Sequence, residues 1–206
     1  IGVVLAIMLV AGGAFWVWHE TPGFCDAICH SPMDPTGETY RGVSGKSGVD
    51  KWGNYVEDMG TLMCVQHKEG ANVVCVDCHV PTIPEQVAEG MHWVTGNYKN
   101  PLDERSLTQL NAYHKYPDTA TFCLNDRCHN MTRDDLARAT AGSYYNPHTT
   151  PDGHIKMECS ECHKSHRQSV QACTRCHGTD QVKVPAGWLT AEQSVNITSD
   201  NFNFPS

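Results

Sequence analysis

Basic residues are scarce in this 206-residue chain, in which 15 Lys and Arg stand against 23 Asp and Glu and the formal net charge is −8. Nucleic-acid binding requires clustered Lys and Arg against phosphate, so we exclude nucleic acid as a partner. Leu, Ile, Val and Phe are also sparse after residue 18. A conventional hydrophobic core would therefore be thin, and disulfides, metal or a large cofactor must replace it.

Charge is absent from the first eighteen residues, which read IGVVLAIMLVAGGAFWVW. A membrane-spanning helix needs about 20 apolar residues, and aromatic rings such as those of Trp16 and Trp18 favour the lipid–water boundary. The alternative is a secretory signal peptide, with an apolar stretch of about 7–15 residues and a small-residue cleavage site. We find no convincing cleavage site before Cys25. We therefore predict a transmembrane anchor at 1–19 and one domain at 20–206.

Cysteine and histidine, in contrast, are abundant, with 11 and 12 copies. Ten cysteines form five pairs, and a histidine directly follows each pair. The motifs are Cys25-x3-Cys29-His30, Cys75-x2-Cys78-His79, Cys123-x4-Cys128-His129, Cys159-x2-Cys162-His163 and Cys173-x2-Cys176-His177.

This grouping is typical of covalent haem attachment. Two thiols add across the two vinyl groups of one haem, and the adjacent histidine supplies the proximal iron ligand. Zinc sites also combine Cys and His, but they do not require His directly after the second Cys five times. A disulfide framework would leave the histidines unexplained. The sequence therefore predicts five covalently bound haem c groups, with the domain 20–206 on the periplasmic or extracytoplasmic side of the cytoplasmic membrane and a single membrane pass.

Five irons present ten axial positions, of which the five motif histidines fill one each. Bis-histidine ligation gives lower potentials than Met/His ligation. The candidates for the second ligands outnumber the remaining positions, so some of them must be ordinary surface residues. Our predicted ligands are Met33, His67, His114, His148, His154 and His166, with His92 and His19 as weaker candidates.

The eleventh cysteine, Cys64, belongs to no motif. We expect it to behave as a small buried hydrophobe, as free cysteines commonly do. A role as thiol ligand or redox partner is the alternative.

These residues resemble the NapC/NirT/NrfH family of membrane-bound quinol dehydrogenases. The similarity includes an N-terminal anchor, a first motif with nearby Met33, and the segment HKEGANVVCVDCHVP at 67–81, and it extends over roughly residues 1–170. The resemblance implies that menaquinol or ubiquinol is oxidised at the membrane surface, near a first haem bound by Met33. It also implies that electrons pass to an extracytoplasmic terminal reductase or another redox protein.

The chain departs from the family pattern in three ways. The first motif has a longer spacing, C-x3-C-H-S-P-M. The family often has a lysine soon after the second motif, whereas residues 82–98 contain none and offer Glu85, Glu89 and His92. A fifth motif follows the fourth after a short loop, which predicts two closely packed haems.

The predicted function is that of an electron-transfer subunit acting as a quinol dehydrogenase. Quinol loses two protons with its two electrons, so a proton acceptor is needed near the first haem. We predict Asp34, with Asp26 and Glu38 also near in sequence, against the alternative that all three are solvated loop carboxylates. Two other functions remain open, namely a passive electron-transfer wire without a quinol site and a nitrite-type haem reductase. A homo- or hetero-oligomer also remains open.

The predicted fold class is mainly α with much irregular structure, consisting of an N-terminal transmembrane helix and a haem-packed multihaem cytochrome c domain. Helical character is expected at 84–95 and 132–140. Residues 34–60 are rich in Gly, Ser and Pro and are expected to form a loop. We predict no confident strand, and the C-terminal tail 178–206 shows neither ligands nor periodicity.

Overall fold

The computed structural model describes residues 2–28, 30–80, 82–143, 145–149 and 156–198. The fold is mainly helical, with long irregular connections, in agreement with the predicted class. The helices of the described ranges are α1 (Gly2–His19), α2 (Pro22–Ile28), α3 (His30–Arg41), α4 (Met63–Ala71), α5 (Cys75–Cys78), α6 (Ile83–Thr95), α7 (Leu107–His114), α8 (Arg133–Ala139), α9 (Cys159–Cys162) and α10 (Ala191–Thr198).

In the part of the chain that the structure describes, four very short strands form two separate pairs. Strand β1 (Gly48–Val49) pairs antiparallel with β2 (Tyr55–Val56). Strand β3 (Val170–Gln171) pairs in parallel with β4 (Leu189–Thr190). The sequence gives no sign of them because two residues are too few to show an alternating pattern.

Helix α1 is apolar along its whole length and none of it is buried in the protein. Its mean hydropathy is 1.8, and it is the one helix of the described ranges that is long and apolar enough to cross a membrane. Eighteen residues at about 1.5 Å each span about 27 Å, close to the hydrocarbon thickness of a bilayer. A membrane anchor and a signal sequence share these properties.

The apolar core is small, as the composition predicts. Its main cluster consists of Val56, Met59, Leu62 and Val65, with Cys64 packed against it. Several polar side chains are also buried, among them Thr39, Asp50, Lys51, Arg167 and Ser169. Aliphatic burial of this extent gives limited stabilisation to a domain of this length.

Two helices lie where the sequence predicts them. Helix α6 has Pro84 in its first turn and ends at Gly96, which adopts the left-handed conformation with φ of 69°. Helix α8 begins with a capping box in which the Thr132 hydroxyl accepts from the Asp135 N–H and the Asp135 carboxylate accepts from the Thr132 N–H. The residues that begin and end these helices are local in sequence, so the helices can be predicted from the sequence alone.

The expected loop at 34–60 is wrong for its first part, because residues up to Arg41 continue helix α3 despite Pro35. Contacts from distant parts of the chain hold this helix. The Tyr40 hydroxyl donates to the Val73 carbonyl over 3.0 Å, and Arg41 forms an ion pair with Asp26. Tertiary packing therefore overrides a composition that favours a loop.

The C-terminal tail is also more ordered than its lack of periodicity suggests, because its described part contains β4 and α10. Arg167 joins this region to the domain, donating from Nη1 to the Ser194 hydroxyl over 3.0 Å and forming an ion pair with Glu104. These partners are distant in sequence, so no local sequence pattern predicts their contacts.

Candidate haem sites

The four motifs that the structure describes with both cysteines share one backbone feature. In each, the histidine N–H donates to the carbonyl of the first cysteine, which closes the motif into a compact turn. The N···O distances are 2.8 Å for His79–Cys75, 2.8 Å for His163–Cys159, 3.0 Å for His177–Cys173 and 3.1 Å for His129–Cys123. The closure brings the histidine back beside the cysteine pair, as attachment to one porphyrin requires.

The longer spacing of the third motif reaches the same closure through Asn125. Its side-chain carbonyl accepts from the N–H groups of Arg127 (3.0 Å) and Cys128 (3.1 Å). Its amide donates to the Thr121 carbonyl over 2.9 Å. Asn125 thus folds the two extra residues into a turn of their own, so the C-x4-C-H spacing retains the local shape of the others.

Part of the predicted site lies outside the described residues, namely Cys29, the side chain of His30, and His154. Cys25 lies in α2 and His30 begins α3. No disulfide joins any two of the ten cysteines that the structure describes.

Three motif histidines lie close to histidines from elsewhere in the chain. The ring centres are 5.9 Å apart for His67 and His129, 6.4 Å for His79 and His166, and 6.3 Å for His148 and His163. The ring planes meet at 85°, 31° and 7° in the same order. Each pair joins one motif histidine to one non-motif histidine.

These separations fit two imidazoles bound to opposite sides of one metal. An imidazole nitrogen lies about 2.0 Å from a bound transition metal and about 1.15 Å from its own ring centre, so the two centres would be about 6.3 Å apart. In the described ranges, no three His, Cys, Asp or Glu side chains converge as a site for a bare metal ion. A pair of imidazoles at this separation is what a haem held by two histidines would need.

The non-motif histidine of each pair is held through its Nδ1 atom. His67 Nδ1 lies 2.7 Å from the Met63 carbonyl, His148 Nδ1 lies 3.1 Å from the Thr140 hydroxyl, and His166 Nδ1 lies 2.8 Å from the Thr39 hydroxyl. A carbonyl can only accept, so His67 carries its proton on Nδ1. Its Nε2 lone pair is then available to a metal.

The threonine partners lead to the same tautomer. The Thr39 hydroxyl has a single proton and donates it to the Thr36 carbonyl over 2.7 Å, so it must accept from His166 Nδ1. The Thr140 hydroxyl donates in the same way, to the Leu136 carbonyl (2.8 Å) or the Asn146 side chain (2.7 Å). Sequence reasoning missed both threonines, since their histidine contacts depend on the fold.

Burial favours the neutral form of four of the six paired imidazoles. It lowers the pKa of His166, which is partly buried, to about 3. Burial is also the main cause that lowers the pKa values of His79, His148 and His163. A neutral imidazole is the form that binds a metal.

The other predicted ligands have different surroundings. His114 stacks on Tyr116, with ring centres 5.4 Å apart, and its Nε2 lies 3.4 Å from the Cys78 carbonyl. His177 stacks on Tyr145 at 5.4 Å. Met33 lies half-buried one turn after His30 in α3.

The two weaker candidates lie on different helices. His92 is exposed on α6. His19 ends α1, contacts the Phe24 ring at 4.6 Å between centres, and has its Nε2 3.2 Å from the Gln86 side-chain carbonyl.

The carboxylates near the first motif divide into two kinds. Asp34 and Glu38 are exposed on α3, whereas Asp26 is paired with Arg41. Cys64 packs against the apolar cluster, and burial raises the pKa of its thiol to about 11. A protonated thiol in that environment matches the expected role of a small hydrophobe.

Neighbouring motifs approach one another in chain order. Cys123 and Cys159 share a side-chain hydrogen bond that raises the pKa of Cys123 and lowers that of Cys159, joining the third and fourth motifs. The pKa of Cys78 is raised to about 11, mainly by burial and secondly by the electrostatic effect of Cys128.

The fourth and fifth motifs, and the first and second motifs, also influence each other electrostatically. Burial raises the pKa of Cys162, and Cys173 of the fifth motif adds to the effect. Burial also raises the pKa of Cys75, with a contribution from Asp26 of the first motif.

Comparison with known proteins gives one relative. The chain is 50% identical over 200 residues to the cytochrome c-type protein Cgr1 of Eggerthella lenta, an alignment that covers 97% of this chain and 89% of the relative. No protein-family model matches the chain. No solved structure matches it either.

Proposed function

We propose, from the premise that this chain belongs to the family of c-type cytochromes, that it is a membrane-anchored pentahaem protein that transfers electrons from membrane quinol to an extracytoplasmic reductase. Family membership alone establishes covalently bound haem c and an electron-transfer role. The number of haems, the anchor, the quinol and the reductase are our proposal.

The three imidazole pairs carry the proposal. We assign His79 with His166, His67 with His129, and His148 with His163 as the axial ligands of three haems. The separations of 5.9–6.4 Å support this assignment. Bound haem supplies one-electron chemistry at its iron, with a potential set by ligands, burial and hydrogen bonding.

The surrounding residues suit electron transfer better than substrate reduction. Two imidazoles would hold each of these three irons, so none of the three would be open to a ligand such as nitrite. The Nδ1 hydrogen bonds to Met63, Thr39 and Thr140 hold the rings in place and increase their basicity. A stiff ligand set of this kind needs little rearrangement when the charge changes.

The order of the motifs supports a relay through the domain. A side-chain hydrogen bond joins Cys123 to Cys159, and Cys128 acts electrostatically on Cys78, which supports an arrangement with the second, third and fourth motifs near one another. Electrostatic contact also links His163 with His67 and His129. Groups attached to these motifs would be neighbours in chain order, from the membrane end toward the fifth motif.

The membrane end is the proposed site of quinol oxidation. Helix α1 is the proposed anchor, and the first motif follows it in α2 after a short turn. We assign Met33 as a ligand of the first haem and exposed Asp34 as the acceptor of a quinol proton. Both lie on α3, one residue apart, so ligand and base would be on one rigid element.

Reduction by quinol alone tests this function. The purified full chain in lipid nanodiscs is mixed anaerobically with a menaquinol analogue while haem absorbance is followed. We expect reduction in the absence of any other protein, at a rate lowered about tenfold or more by Asp34→Asn, since a general base contributes about 10²–10⁴-fold. Glu38→Gln, an exposed carboxylate of the same helix, is the matched control.

Haems that dithionite reduces but quinol does not would refute quinol oxidation and favour a passive wire. Equal rates in the Asp34 and Glu38 variants would remove Asp34 from the mechanism.

A further inference from the structure

Helix α6 has its apolar face turned outward. Ile83, Val87, Met91 and Val94 are between 59% and 77% exposed, and their spacing places them along one stripe of the helix. Helices on the surface of soluble domains show the opposite arrangement, with the apolar face toward the core. We call these four residues the α6 stripe.

The polar side of α6 faces the domain. Arg105 binds Glu85 through Nη1 at 2.7 Å and Glu89 through Nη2 at 3.0 Å. Glu85 and Glu89 follow one another by four residues and so lie together, on the side of the helix away from the stripe. One guanidinium therefore fixes the rotation of α6 about its axis and keeps the stripe outward.

The stripe is also close to the end of α1. His19, the last residue of α1, has its Nε2 3.2 Å from the Gln86 side-chain carbonyl. Around it is a group of aromatic rings, with Trp18 and Phe24 5.0 Å apart and Phe15 and Phe24 5.8 Å apart. Aromatic rings of this kind favour the lipid–water interface.

We propose that α6 lies in the interfacial layer of the membrane, with the α6 stripe in contact with lipid. Two observations favour lipid over a soluble partner or a second copy of the chain. The stripe carries no charge, and the helix is tied by Gln86 to the point where α1 leaves the bilayer. An amphipathic helix beside a membrane places its apolar face at the boundary between headgroups and acyl chains.

This proposal depends on the anchor of the proposed function and adds an orientation to it. A single membrane helix leaves a domain free to rotate about the helix axis. A second contact through α6 removes that freedom and holds the turn between α1 and α2 against the lipid surface. The first motif, which starts in α2, would then remain within reach of quinol in the bilayer.

Labelling from the lipid phase tests the inference. The full chain in vesicles of neutral phospholipid is exposed to a lipid-soluble carbene probe, and the labelled residues are mapped by mass spectrometry. We expect label on the α6 stripe as well as on α1. Val43 and Tyr55 serve as internal controls, because they are exposed apolar side chains elsewhere on the domain and should remain unlabelled.

The outcomes for the two helices are independent. Label on α1 without label on α6 would overturn the interfacial helix and leave the anchor intact. Such a result would mean that haem, a partner or a second copy covers the stripe. An unlabelled α1 would instead overturn the anchor.

A charged variant provides a second readout. Val87→Glu with Val94→Glu should reduce labelling of α6 several-fold, since carboxylates are disfavoured in the apolar part of the interface. Val43→Glu is the matched control and should leave α6 labelling unchanged. Equal haem absorbance in all variants shows that folding and attachment are retained. Unchanged α6 labelling in the double variant contradicts the proposal.

Discussion

At the scale of single residues, Thr39 determines which nitrogen of His166 is available. Its hydroxyl gives its proton to the Thr36 carbonyl and therefore accepts from His166 Nδ1. The same chain of hydrogen bonds exists at Thr140 and His148. A hydrogen-bonded Nδ1–H makes the imidazole a stronger donor to iron, which stabilises the oxidised state.

Removing the Thr39 hydroxyl should therefore raise one haem potential. We expect Thr39→Val to shift it upward by tens of millivolts and to cost about 1–3 kcal/mol of unfolding free energy, because a buried N–H loses its acceptor. Potentiometric titration and denaturant unfolding measure the two effects. Thr39→Ser should restore both, and Thr36→Val, which removes a hydroxyl bonded only to the Met33 carbonyl, should leave the potentials unchanged. An unshifted potential in Thr39→Val would mean that this hydroxyl does not act on a ligand.

The burial of His166 should make the protein acid-sensitive. Burial lowers its pKa from 6.5 to about 3, and an iron bound at Nε2 would also keep it from taking up a proton. The unfolded chain therefore takes up a proton that the folded chain rejects. This contribution is complete above pH 6.5 and is lost as the pH falls toward 3, by up to about 1.4 kcal/mol per pH unit. Urea unfolding at pH 6.5 and at about pH 4.5 measures how much unfolding free energy is lost between the two pH values. We expect this loss to be roughly 2 kcal/mol larger in the unsubstituted chain than in His166→Met, which has no imidazole to take up the proton. Equal losses in the two proteins would be inconsistent with a neutral His166.

The motif histidines could be predicted from the sequence, but their partners could not. His166 is three residues from His163, yet it faces His79, and His67 is twelve residues before His79, yet it faces His129. Histidines that are near each other in sequence therefore belong to different pairs in the fold. Spacing predicts the attachment points because haem addition is local, whereas the second ligand that we propose for each haem depends on a tertiary contact.

At the scale of elements, α8 illustrates how a short helix supports a site. Its capping box begins at Thr132, and the turn that follows it carries Thr140, which contacts His148. A seven-residue helix is marginal on its own, so its cap matters.

Thr132→Ala should lower the unfolding free energy by about 1 kcal/mol through loss of the cap. It should also loosen the His148 imidazole, visible as a broader absorption change on reduction. Thermal unfolding followed by circular dichroism measures the first effect. Asp134→Ala, on the same helix but outside the capping box, is the control. A stability loss equal to that of the control would show that the box contributes nothing.

The predicted and unpredicted elements differ in where their stabilising contacts come from. Helices α6 and α8 have their signals in their own sequence, in Pro84, Gly96 and Thr132. Helix α3 and the tail helix α10 are held by partners far along the chain, such as Val73 for Tyr40 and Arg167 for Ser194. Composition therefore misled the prediction for 34–41, and the sequence of the tail gave no signal for α10.

At the scale of the whole molecule, the apolar core is small, and we propose that attached haem supplies much of the buried surface. The main cluster consists of Val56, Met59, Leu62 and Val65, and the other buried apolar side chains of the described ranges are Leu107, Val170, Ala172 and Val182. Loss of one attachment should therefore affect stability more than loss of one core side chain.

We expect Cys159→Ala with Cys162→Ala to bind one haem fewer and to become sensitive to protease between β3 and α10. Cys64→Ala is the matched control, because Cys64 is a cysteine outside the motifs. Cys64→Ala should retain its full haem content, and its free energy of unfolding should fall by only about 1 kcal/mol because the substitution leaves a small cavity. Haem content by absorbance and limited proteolysis compare the two. A double variant as protease-resistant as the control would show that haem is not part of the core.

The histidine pairs make a direct spectroscopic prediction, because the angle between imidazole planes controls the magnetic anisotropy of ferric low-spin haem. Perpendicular planes leave two iron orbitals nearly equal in energy and give a large maximal g value, whereas parallel planes separate them and give a rhombic signal. The pair His67–His129 is near perpendicular at 85°, and His148–His163 is near parallel at 7°.

Electron paramagnetic resonance of the oxidised full chain, compared with His67→Ala and His148→Ala, measures this directly. We predict that His67→Ala loses a signal of large maximal g and keeps the rhombic signal, and that His148→Ala loses intensity from the rhombic signal and keeps the other. Haem content should stay unchanged in both variants, since the attaching cysteines remain. Spectra in which neither variant loses its low-spin signal would contradict the axial ligation that we assign to these pairs.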